Sequence, residues 1–302
     1  MSDCETRCGF VAIVGAPNAG KSTLVNQLVG TKVSIVSPKV QTTRSRVLGI
    51  AMVEECGAQV ILVDTPGIFQ PKRRLDRAMV QAAWSGAADA DAVAMVLDAE
   101  RGFDDNSRTI VERLKESGRR AVLILNKIDL IKRDSLLALA SQAQETGVFE
   151  GIFMVSAKTG DGIGDLLKHF AGQVPAGPWH FPEDQVSDMP MRLLAAEITR
   201  EQVFLQLHQE LPYATTVETE QWQERDDGSV RIDQVVYIQR DSQKAIVLGK
   251  GGRQIKAIGE KARIQLEEMV ERRVHLFLHV KVRENWLDDR QHYQNLGLDY
   301  DV

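Results

Sequence analysis

Residues 10–30, "FVAIVGAPNAGKSTLVNQLVG", join an apolar run to a helix-like segment through a loop of small residues. The loop, "GAPNAGKS" at 15–22, matches the pattern G-x-x-x-x-G-K-[ST]. Gly15 and Gly20 let backbone N–H groups approach phosphate oxygens, and Lys21 can reach the β- and γ-phosphates of a nucleotide. The hydroxyl of Ser22 can ligate Mg²⁺. The stretch therefore predicts a phosphate-binding loop with these nucleotide contacts: Gly15, Ala16, Pro17, Asn18, Ala19, Gly20, Lys21, Ser22 and Thr23.

Further apolar runs of strand length follow this loop and alternate with helix-like segments up to about residue 170. They are "QVILVD" (59–64), "DAVAMVLD" (91–98), "AVLILN" (121–126) and "GIFMVSA" (151–157). Because the runs lack polar alternation, we expect strands that are buried on both faces. This pattern is typical of an α/β fold with a mostly parallel sheet and helices on both faces. With the phosphate-binding loop at its first strand, this pattern predicts a P-loop NTPase fold over residues 1–173.

Two motifs predict how this domain handles the metal and the γ-phosphate. Asp64 ends a strand in "LVDTPG", where its carboxylate can hold Mg²⁺ through water and the N–H of Gly67 can sense the γ-phosphate. In "SPKVQTTRSRVLG" (37–49), Thr43, with Thr42 as the alternative, should bind Mg²⁺ and the γ-phosphate. The predicted metal ligands are Ser22, Thr43 and Asp64, and the predicted catalytic residues are Lys21, Thr43, Gly67 and Asn18. The predicted nucleotide contacts here are Asp64, Thr65, Pro66, Gly67 and Ile68.

The motif "NKID" (126–129) predicts that the base is guanine. The Asp129 carboxylate can accept hydrogen bonds from N1–H and the 2-amino group of guanine, and adenine offers neither donor. We expect Asn126 to tie the loops together and the stem of Lys127 to lie along the base. In "SAK" (156–158), the N–H of Ala157 can donate to guanine O6. The predicted contacts of the base are Asn126, Lys127, Ile128, Asp129, Ser156, Ala157 and Lys158.

In their order, these motifs resemble GTPases of the translation-factor-related class, and the resemblance implies a Ras-like G domain over residues 1–173. Small signalling GTPases orient the attacking water with a glutamine after the motif's glycine, whereas this chain has Ile68. Several GTPases with a hydrophobic residue there bind K⁺ through an asparagine of the phosphate loop, which is Asn18 here. The resemblance thus implies slow intrinsic hydrolysis, with Mg²⁺ and possible K⁺ as cofactors. A purely structural role for Asn18 stays open.

A change of composition marks the end of the G domain. Residues 171–190 contain four of the nine prolines of the chain, and we interpret 174–189 as a linker. After it the pattern reads helix, two strands, helix, glycine loop, helix and strand. This order resembles an α+β type II KH domain, which we place at 190–302 together with a C-terminal tail.

The glycine cluster in "VLGKGG" (247–252) fits the KH signature, and cations surround it. KH domains use such a loop to clamp about four nucleotides of single-stranded nucleic acid. The alternative is a plain turn between two helices. The predicted RNA-binding residues are Gly249, Lys250, Gly251, Gly252, Arg253 and Lys256.

One phosphate loop followed by this KH pattern resembles the bacterial Era family over nearly the whole chain. The segments "QTTR" (41–44), "FPED" (181–184), "ELPY" (210–213) and "VHLFLHVKV" (274–282), with Trp286 and "LGL" after them, support the resemblance. The resemblance implies GTP and GDP binding and a role in maturing the small ribosomal subunit. It also implies contact with the single-stranded 3′ end of 16S rRNA on the 30S subunit, a monomer, and loose peripheral contact with the inner membrane. The central pair of "GKGG" departs from the common family pattern.

Composition limits the remaining alternatives. The 302 residues allow two domains, and the net charge of −5 means that any nucleic-acid surface must be local. No apolar run approaches the roughly 18 residues of a membrane span. Three cysteines do not form a disulfide framework, so we expect a cytoplasmic protein, and Cys4 with Cys8 does not complete a metal site. Two functional classes stay open: an enzyme that RNA localises, and an assembly factor that GTP times.

Overall fold

The computed structural model describes residues 6–284 and 286–302 of the chain. The chain forms two compact units. The first comprises the residues up to Val36, Thr43–Asp188 and Tyr293–Val302, and the second comprises Ser37–Thr42 and Met189–His292. Thus the structure groups the segment Tyr293–Val302 with the first unit, whereas the sequence interpretation placed it with the KH pattern.

The first unit contains a six-stranded sheet in the order β2-β3-β1-β4-β5-β6. Its strands are β1 (Arg7–Gly15), β2 (Val47–Val53), β3 (Ala58–Asp64), β4 (Ala92–Asp98), β5 (Ala121–Asn126) and β6 (Phe149–Met154). Its helices are α1 (Lys21–Val29), α2 (Arg74–Asp89), α3 (Asp105–Glu116), α4 (Arg133–Glu145) and α5 (Ile163–Gln173). All neighbouring strands pair in parallel except β2, which runs antiparallel to β3. The mostly parallel sheet is confirmed, and β2 is an addition to it.

The sheet has a hydrophobic core on each face, which explains the unbroken apolar runs. In β1, Val11 and Ile13 pack in the core that also holds residues of α1 and α5. Ala12 and Val14 point the other way and pack with residues of α2, α3 and α4. All four side chains are fully buried. Each strand of this kind must therefore be apolar at successive positions, as the sequence is.

The second unit is an α+β domain with a three-stranded sheet in the order β7-β8-β9. Its elements are α6 (Met191–Gln206), β7 (Thr215–Glu224), β8 (Val230–Ile238), α7 (Asp241–Leu248), α8 (Arg253–Val270) and β9 (Val274–Val282). A short helix, α9 (Arg290–Asn295), follows. Strand β8 pairs antiparallel with β7 and parallel with β9. The predicted order of helices, strands and glycine loop is confirmed.

Residues of the predicted linker 174–189 make regular contacts with the sheet of the first unit. The N–H of Ile50 in β2 donates to the carbonyl of Val186 at 2.9 Å. The hydroxyl of Ser187 donates to the carbonyl of Leu48 at 2.7 Å. The indole N–H of Trp179 donates to Gly57 O at 3.1 Å. The segment is thus held along most of its length.

A fully buried side chain of β3, Gln59, anchors the middle of that segment. Its Oε1 accepts the backbone N–H groups of His180 and Phe181, both at 3.0 Å, and the thiol of Cys8. Its Nε2 donates to the carbonyl of Phe181 at 2.8 Å. A buried amide so fully bonded fixes the path of the chain. Cys8 serves here as a buried hydrogen-bond donor, and Cys4 lies outside the described residues.

We expect Gln59→Leu to lower the free energy of unfolding of the first unit by about 2–4 kcal/mol, because the N–H groups of His180 and Phe181 lose their acceptor. Scanning calorimetry should show a lower melting temperature, and proteolysis within 174–188 should become faster. As a control, Gln81→Leu on the exposed face of α2 should change stability by less than about 0.5 kcal/mol. Wild-type melting and proteolysis of Gln59→Leu would contradict the anchoring role.

Candidate nucleotide site and glycine loop

The phosphate loop lies between β1 and α1, at the carboxyl edge of the sheet. Gly20 opens α1 with φ +95°, and a Cβ at this position would lie 2.3 Å from Nδ2 of Asn126. Glycine is therefore required here both by its backbone angle and by close packing. The remaining loop residues, with their side chains buried or half-buried, are Ala16, Pro17, Asn18, Ala19, Ser22 and Thr23.

Lys21 is buried at the start of α1, and its ammonium lies against the phosphate loop. Nζ donates to the carbonyls of Gly15 and Ala16, both at 3.0 Å. Burial lowers the pKa of Lys21 to about 8, and the charge of Asp64 offsets part of that effect. Because burial disfavours the ammonium form, bound phosphates would raise this pKa again. Nucleotide binding above pH 8 would therefore take up a proton at Lys21.

The three predicted metal ligands converge at the end of β3. The hydroxyl of Ser22 donates to Asp64 Oδ2 at 2.7 Å and lies 2.9 Å from the hydroxyl of Thr43. The hydroxyl of Ser34, a residue not predicted from the sequence, also donates to Asp64 Oδ2 at 2.7 Å. Burial raises the pKa of Asp64, and the hydrogen bonds from Ser22 and Ser34 lower it in part.

The donor set of this cluster fits Mg²⁺. Within the described residues, Oδ1 of the fully buried Asp64 has no hydrogen-bond partner. A buried carboxylate oxygen needs a partner, and a magnesium ion with its water shell supplies one. Two hydroxyl groups and this carboxylate form an oxygen-only set, which is the type that Mg²⁺ prefers. No group of three or more His, Cys, Asp or Glu within the described ranges could hold a metal on its own.

The structure distinguishes the two candidate threonines by the direction of their hydroxyls. Thr43 is buried and its hydroxyl lies beside Ser22. The hydroxyl of Thr42 donates instead to the carbonyl of Lys39 at 2.8 Å and lies 2.6 Å from that of Ser37. This arrangement supports Thr43 as the metal-site residue.

The loop after β3 packs closely on the phosphate loop. The hydroxyl of Thr65 donates to the carbonyl of Ile13 at 2.7 Å, and the N–H of Ile68 donates to Gly15 O at 3.0 Å. A Cβ at Gly67 would lie 3.0 Å from Pro17. The Ile68 side chain is buried in the core on the α2 side of the sheet. As a hydrocarbon, it cannot orient a water molecule by hydrogen bonding. Pro66, between these residues, is also buried.

Asn126 connects the phosphate loop to both base-binding motifs. Its Nδ2 donates to the carbonyl of Ala19 at 3.0 Å. Its Oδ1 accepts the N–H groups of Lys127 at 2.8 Å and Ala157 at 3.0 Å. The N–H of Ala157 thus already has an acceptor, and guanine O6 would have to share it.

The predicted base contacts surround Asn126. Ser156 donates its hydroxyl to Oδ1 of the exposed Asp129 at 2.7 Å, which orients that carboxylate. Nζ of Lys127 lies 2.5 Å from Oδ2 of Asp98 at the end of β4. Asp98 is not among the site residues predicted from the sequence, although an acid that closes an apolar strand is a visible signal. The remaining predicted positions are the half-buried Ile128 and the exposed Lys158.

The second glycine cluster joins α7 to α8 in the second unit. Gly249, Gly251 and Gly252 have φ of +69°, +63° and +77°, and a Cβ at Gly249 would lie 2.7 Å from Cβ of Gln254. A Cβ at Gly251 would meet nothing within 4 Å, so the tip of the loop is open. The exposed residues at this loop and the first turns of α8 are Lys250, Gly251, Arg253 and Lys256. An open backbone beside three cations suits a phosphodiester chain.

Sequence comparisons agree with this arrangement. Residues 10–127 match the family described as 50S ribosome-binding GTPase, and residues 210–287 match the KH domain family. The chain is 60% identical to GTPase Era of Brucella suis biovar 1 (strain 1330) over 296 residues, which cover 98% of this chain and 94% of the relative. It is also 60% identical to GTPase Era of Mesorhizobium japonicum over 306 residues, 99% of this chain and 98% of the relative.

Two solved structures are similar to the whole chain. One is Era in complex with MgGDPNP and nucleotides 1506–1542 of 16S ribosomal RNA, and the other is a point variant of Aquifex aeolicus Era bound to GDP.AlF4⁻. Each has a TM-score of 0.91 and 36% identity, and covers 98% of this chain and 100% of its own. With a P-loop GTPase domain, a KH domain and about 60% identity over nearly its full length, this chain belongs to the Era family of GTPases.

Proposed function

We propose that the chain is an RNA-binding switch of the small ribosomal subunit whose state is set by GTP. The first unit binds and hydrolyses GTP, and the second binds the single-stranded 3′ end of 16S rRNA on the 30S subunit during its maturation. The observation that carries this proposal is the similarity, at a TM-score of 0.91, to an Era structure that contains both MgGDPNP and nucleotides 1506–1542 of 16S rRNA. The open, basic loop of "GKGG" supports it from the geometry of this chain.

The residues at the carboxyl edge of the sheet have separate roles in this proposal. Lys21 binds the β- and γ-phosphates and compensates their charge. Thr43 and the N–H of Gly67 contact the γ-phosphate, so they report whether GTP or GDP is bound. Ser22, Thr43 and Asp64 would hold Mg²⁺, which when bound neutralises charge on the phosphate oxygens. Asp129 binds the guanine edge and Asn126 keeps the loops together.

In this proposal the bound nucleotide sets how long the protein stays in its RNA-binding state, and GTP hydrolysis does not drive a separate reaction. In the sequence, Ile68 takes the place of the residue that orients the attacking water in other GTPases, and in the structure its side chain is buried in the core. Intrinsic hydrolysis should therefore be slow, and the bound state should last. The competing class, an enzyme that RNA only localises, would not make RNA affinity depend on the bound nucleotide.

The free thiols of Cys8 and Cys56 suit a reducing compartment, so we propose a cytoplasmic protein. In the part of the chain that the structure describes, no helix is both long and apolar enough to cross a membrane. The monomeric state and the peripheral membrane contact implied by the family resemblance stay predictions.

We also propose a K⁺ ion near the β- and γ-phosphates, held in part by Asn18. Asn18 has a left-handed backbone, φ +63°, in the middle of the phosphate loop. A cation there would stabilise charge that develops in the transition state, as an arginine finger does.

For the base, Asp129→Asn should weaken GTP binding by at least 100-fold and strengthen binding of xanthosine triphosphate, whose 2-oxo group can accept from the new amide. Calorimetric titration with GTP and with xanthosine triphosphate measures this change of nucleotide preference. Asp134→Asn, an exposed acid in the first turn of α4, is the matched control and should keep the wild-type preference. Unchanged GTP affinity in Asp129→Asn would refute the guanine assignment.

For the cation, hydrolysis should be several-fold faster in KCl than in NaCl at equal ionic strength, and Asn18→Ala should remove the difference. Phosphate release under both salts measures it. The nucleotide affinity of Asn18→Ala serves as the control, because a variant that no longer binds GTP is uninformative about K⁺. If the wild-type chain hydrolyses GTP at equal rates in the two salts, the K⁺ site is refuted, and the GTPase assignment is unaffected.

For RNA, the double variant Lys250→Asp with Gly251→Asp should weaken binding roughly 10- to 100-fold, because acidic groups would face phosphates where a cation and an open backbone stood. The probe is a short single strand that copies the 3′ end of 16S rRNA, titrated with a GTP analogue bound and with GDP bound. Intrinsic GTP hydrolysis without RNA should stay near wild type.

The matched control is Arg273→Asp, an exposed charge change beyond the other end of α8. Circular dichroism must show that the double variant is folded, since Gly251 has φ +63° and aspartate tolerates this angle only in part. If the folded variant binds RNA as tightly as wild type, the loop is a plain turn. An RNA affinity that is equal with GTP analogue and with GDP would favour the enzyme class over the timer.

A further inference from the structure

Asp98 closes β4 at the same edge of the sheet as the base-binding motifs. In the parallel register of β4 and β5, Asp98 is the partner of Asn126. Its side chain is only 6% exposed. Oδ1 accepts the N–H of Glu100 at 3.0 Å, and Oδ2 lies 2.5 Å from Nζ of Lys127. A carboxylate this deeply buried needs hydrogen-bond and ion-pair partners to offset its loss of hydration.

Lys127 is fixed at both of its ends. Its backbone has a left-handed φ of +67°, and its N–H donates to Oδ1 of Asn126. Its ammonium group is paired with Asp98, and the side chain is 29% exposed. A lysine stem that is free in solvent has large rotamer freedom, which is lost when the stem packs on a ligand. In this protein the ion pair with Asp98 restricts the rotamers of the stem.

We propose that Asp98 is a positioning residue for guanine-nucleotide binding, because it holds the stem of Lys127 across the place of the base. Asp98 does not touch the nucleotide in this arrangement and acts through Lys127. The inference rests on the proposed function, in which the stem of Lys127 lies along the guanine. Since the base is common to GTP and GDP, Asp98 should affect the affinity for both equally. The rate of hydrolysis at saturating GTP should not depend on it.

Two other roles for Asp98 are open to test. Nε of Arg101 lies 3.7 Å from Oδ2 of Asp98. The side chain of Arg101 is 53% exposed, and ion pairs at the surface contribute little to stability. In the second alternative, Asp98 only shapes the turn after β4, where its Oδ1 accepts the N–H of Glu100. Asp98→Asn separates these roles, because the amide oxygen keeps the turn bond while the charge that attracts Lys127 is lost.

The experiment is a titration of the full chain with fluorescent GDP and with a non-hydrolysable GTP analogue. For Asp98→Asn we expect both dissociation constants to rise by the same factor, roughly tenfold, as rotamer freedom returns to Lys127. The maximal rate of GTP hydrolysis should stay at the wild-type value. Glu100→Gln removes an exposed acid from the same turn without touching Lys127, and it should change neither constant by more than about twofold.

The decisive comparison uses Lys127→Met, which keeps an apolar stem and removes the ammonium group. In that background, Asp98→Asn should have no further effect on the affinity for GDP. If Asp98→Asn weakens GDP binding by the same factor with and without Lys127, or if it leaves the affinity of the wild-type background unchanged, the inference is overturned. Failure of the wild-type chain to bind GDP would instead overturn the proposed function.

A thermal melt shows whether Asp98→Asn is folded. If it is not, Asp98→Ser replaces it under the same criteria, because the serine hydroxyl can still accept from the N–H of Glu100.

Discussion

The hydrogen bonds of the Asn126 side chain hold three segments that are far apart in the sequence. One amide group binds the carbonyl of Ala19 and the N–H groups of Lys127 and Ala157. Because its Nδ2 would collide with any side chain at position 20, the phosphate loop must have Gly20 there. The phosphate end and the base end of the site are therefore one assembly, and the spacing between them is set by a single buried amide.

The charges of the site are arranged for a ligand rather than for each other. Lys21 and Asp64 are both buried. Burial lowers the pKa of Lys21 and raises the pKa of Asp64, and in each case this favours the neutral form. Their mutual attraction offsets only part of this effect. A triphosphate with its Mg²⁺ would compensate both groups at once, because the phosphates would face the ammonium of Lys21 and the metal ion would face the carboxylate of Asp64. Binding of the nucleotide should therefore raise the free energy of unfolding of the first unit.

Much of this organisation could be predicted because it depends on local patterns. The unbroken apolar strands and the motifs at their ends define the parallel sheet and its edge, and both are seen. Strand β2 was missed, since Val47–Val53 follows a threonine-rich loop and pairs antiparallel. Gln59 and Asp98 were missed for another reason. Gln59 begins one apolar run and Asp98 ends another, so both are visible in the sequence. Their partners in residues 180–181 and at Lys127 are distant in the sequence and cannot be inferred from these runs.

The proline-rich segment after α5 shows how a linker can belong to the domain before it. Strand β2 is an outer strand of the six-stranded sheet, and Val186 and Ser187 lie along it, bonded to Ile50 and Leu48. An uncovered outer strand presents free N–H and C=O groups to which strands of other molecules add. A G-domain fragment cut at residue 173 would expose this strand and would aggregate by intermolecular β-pairing.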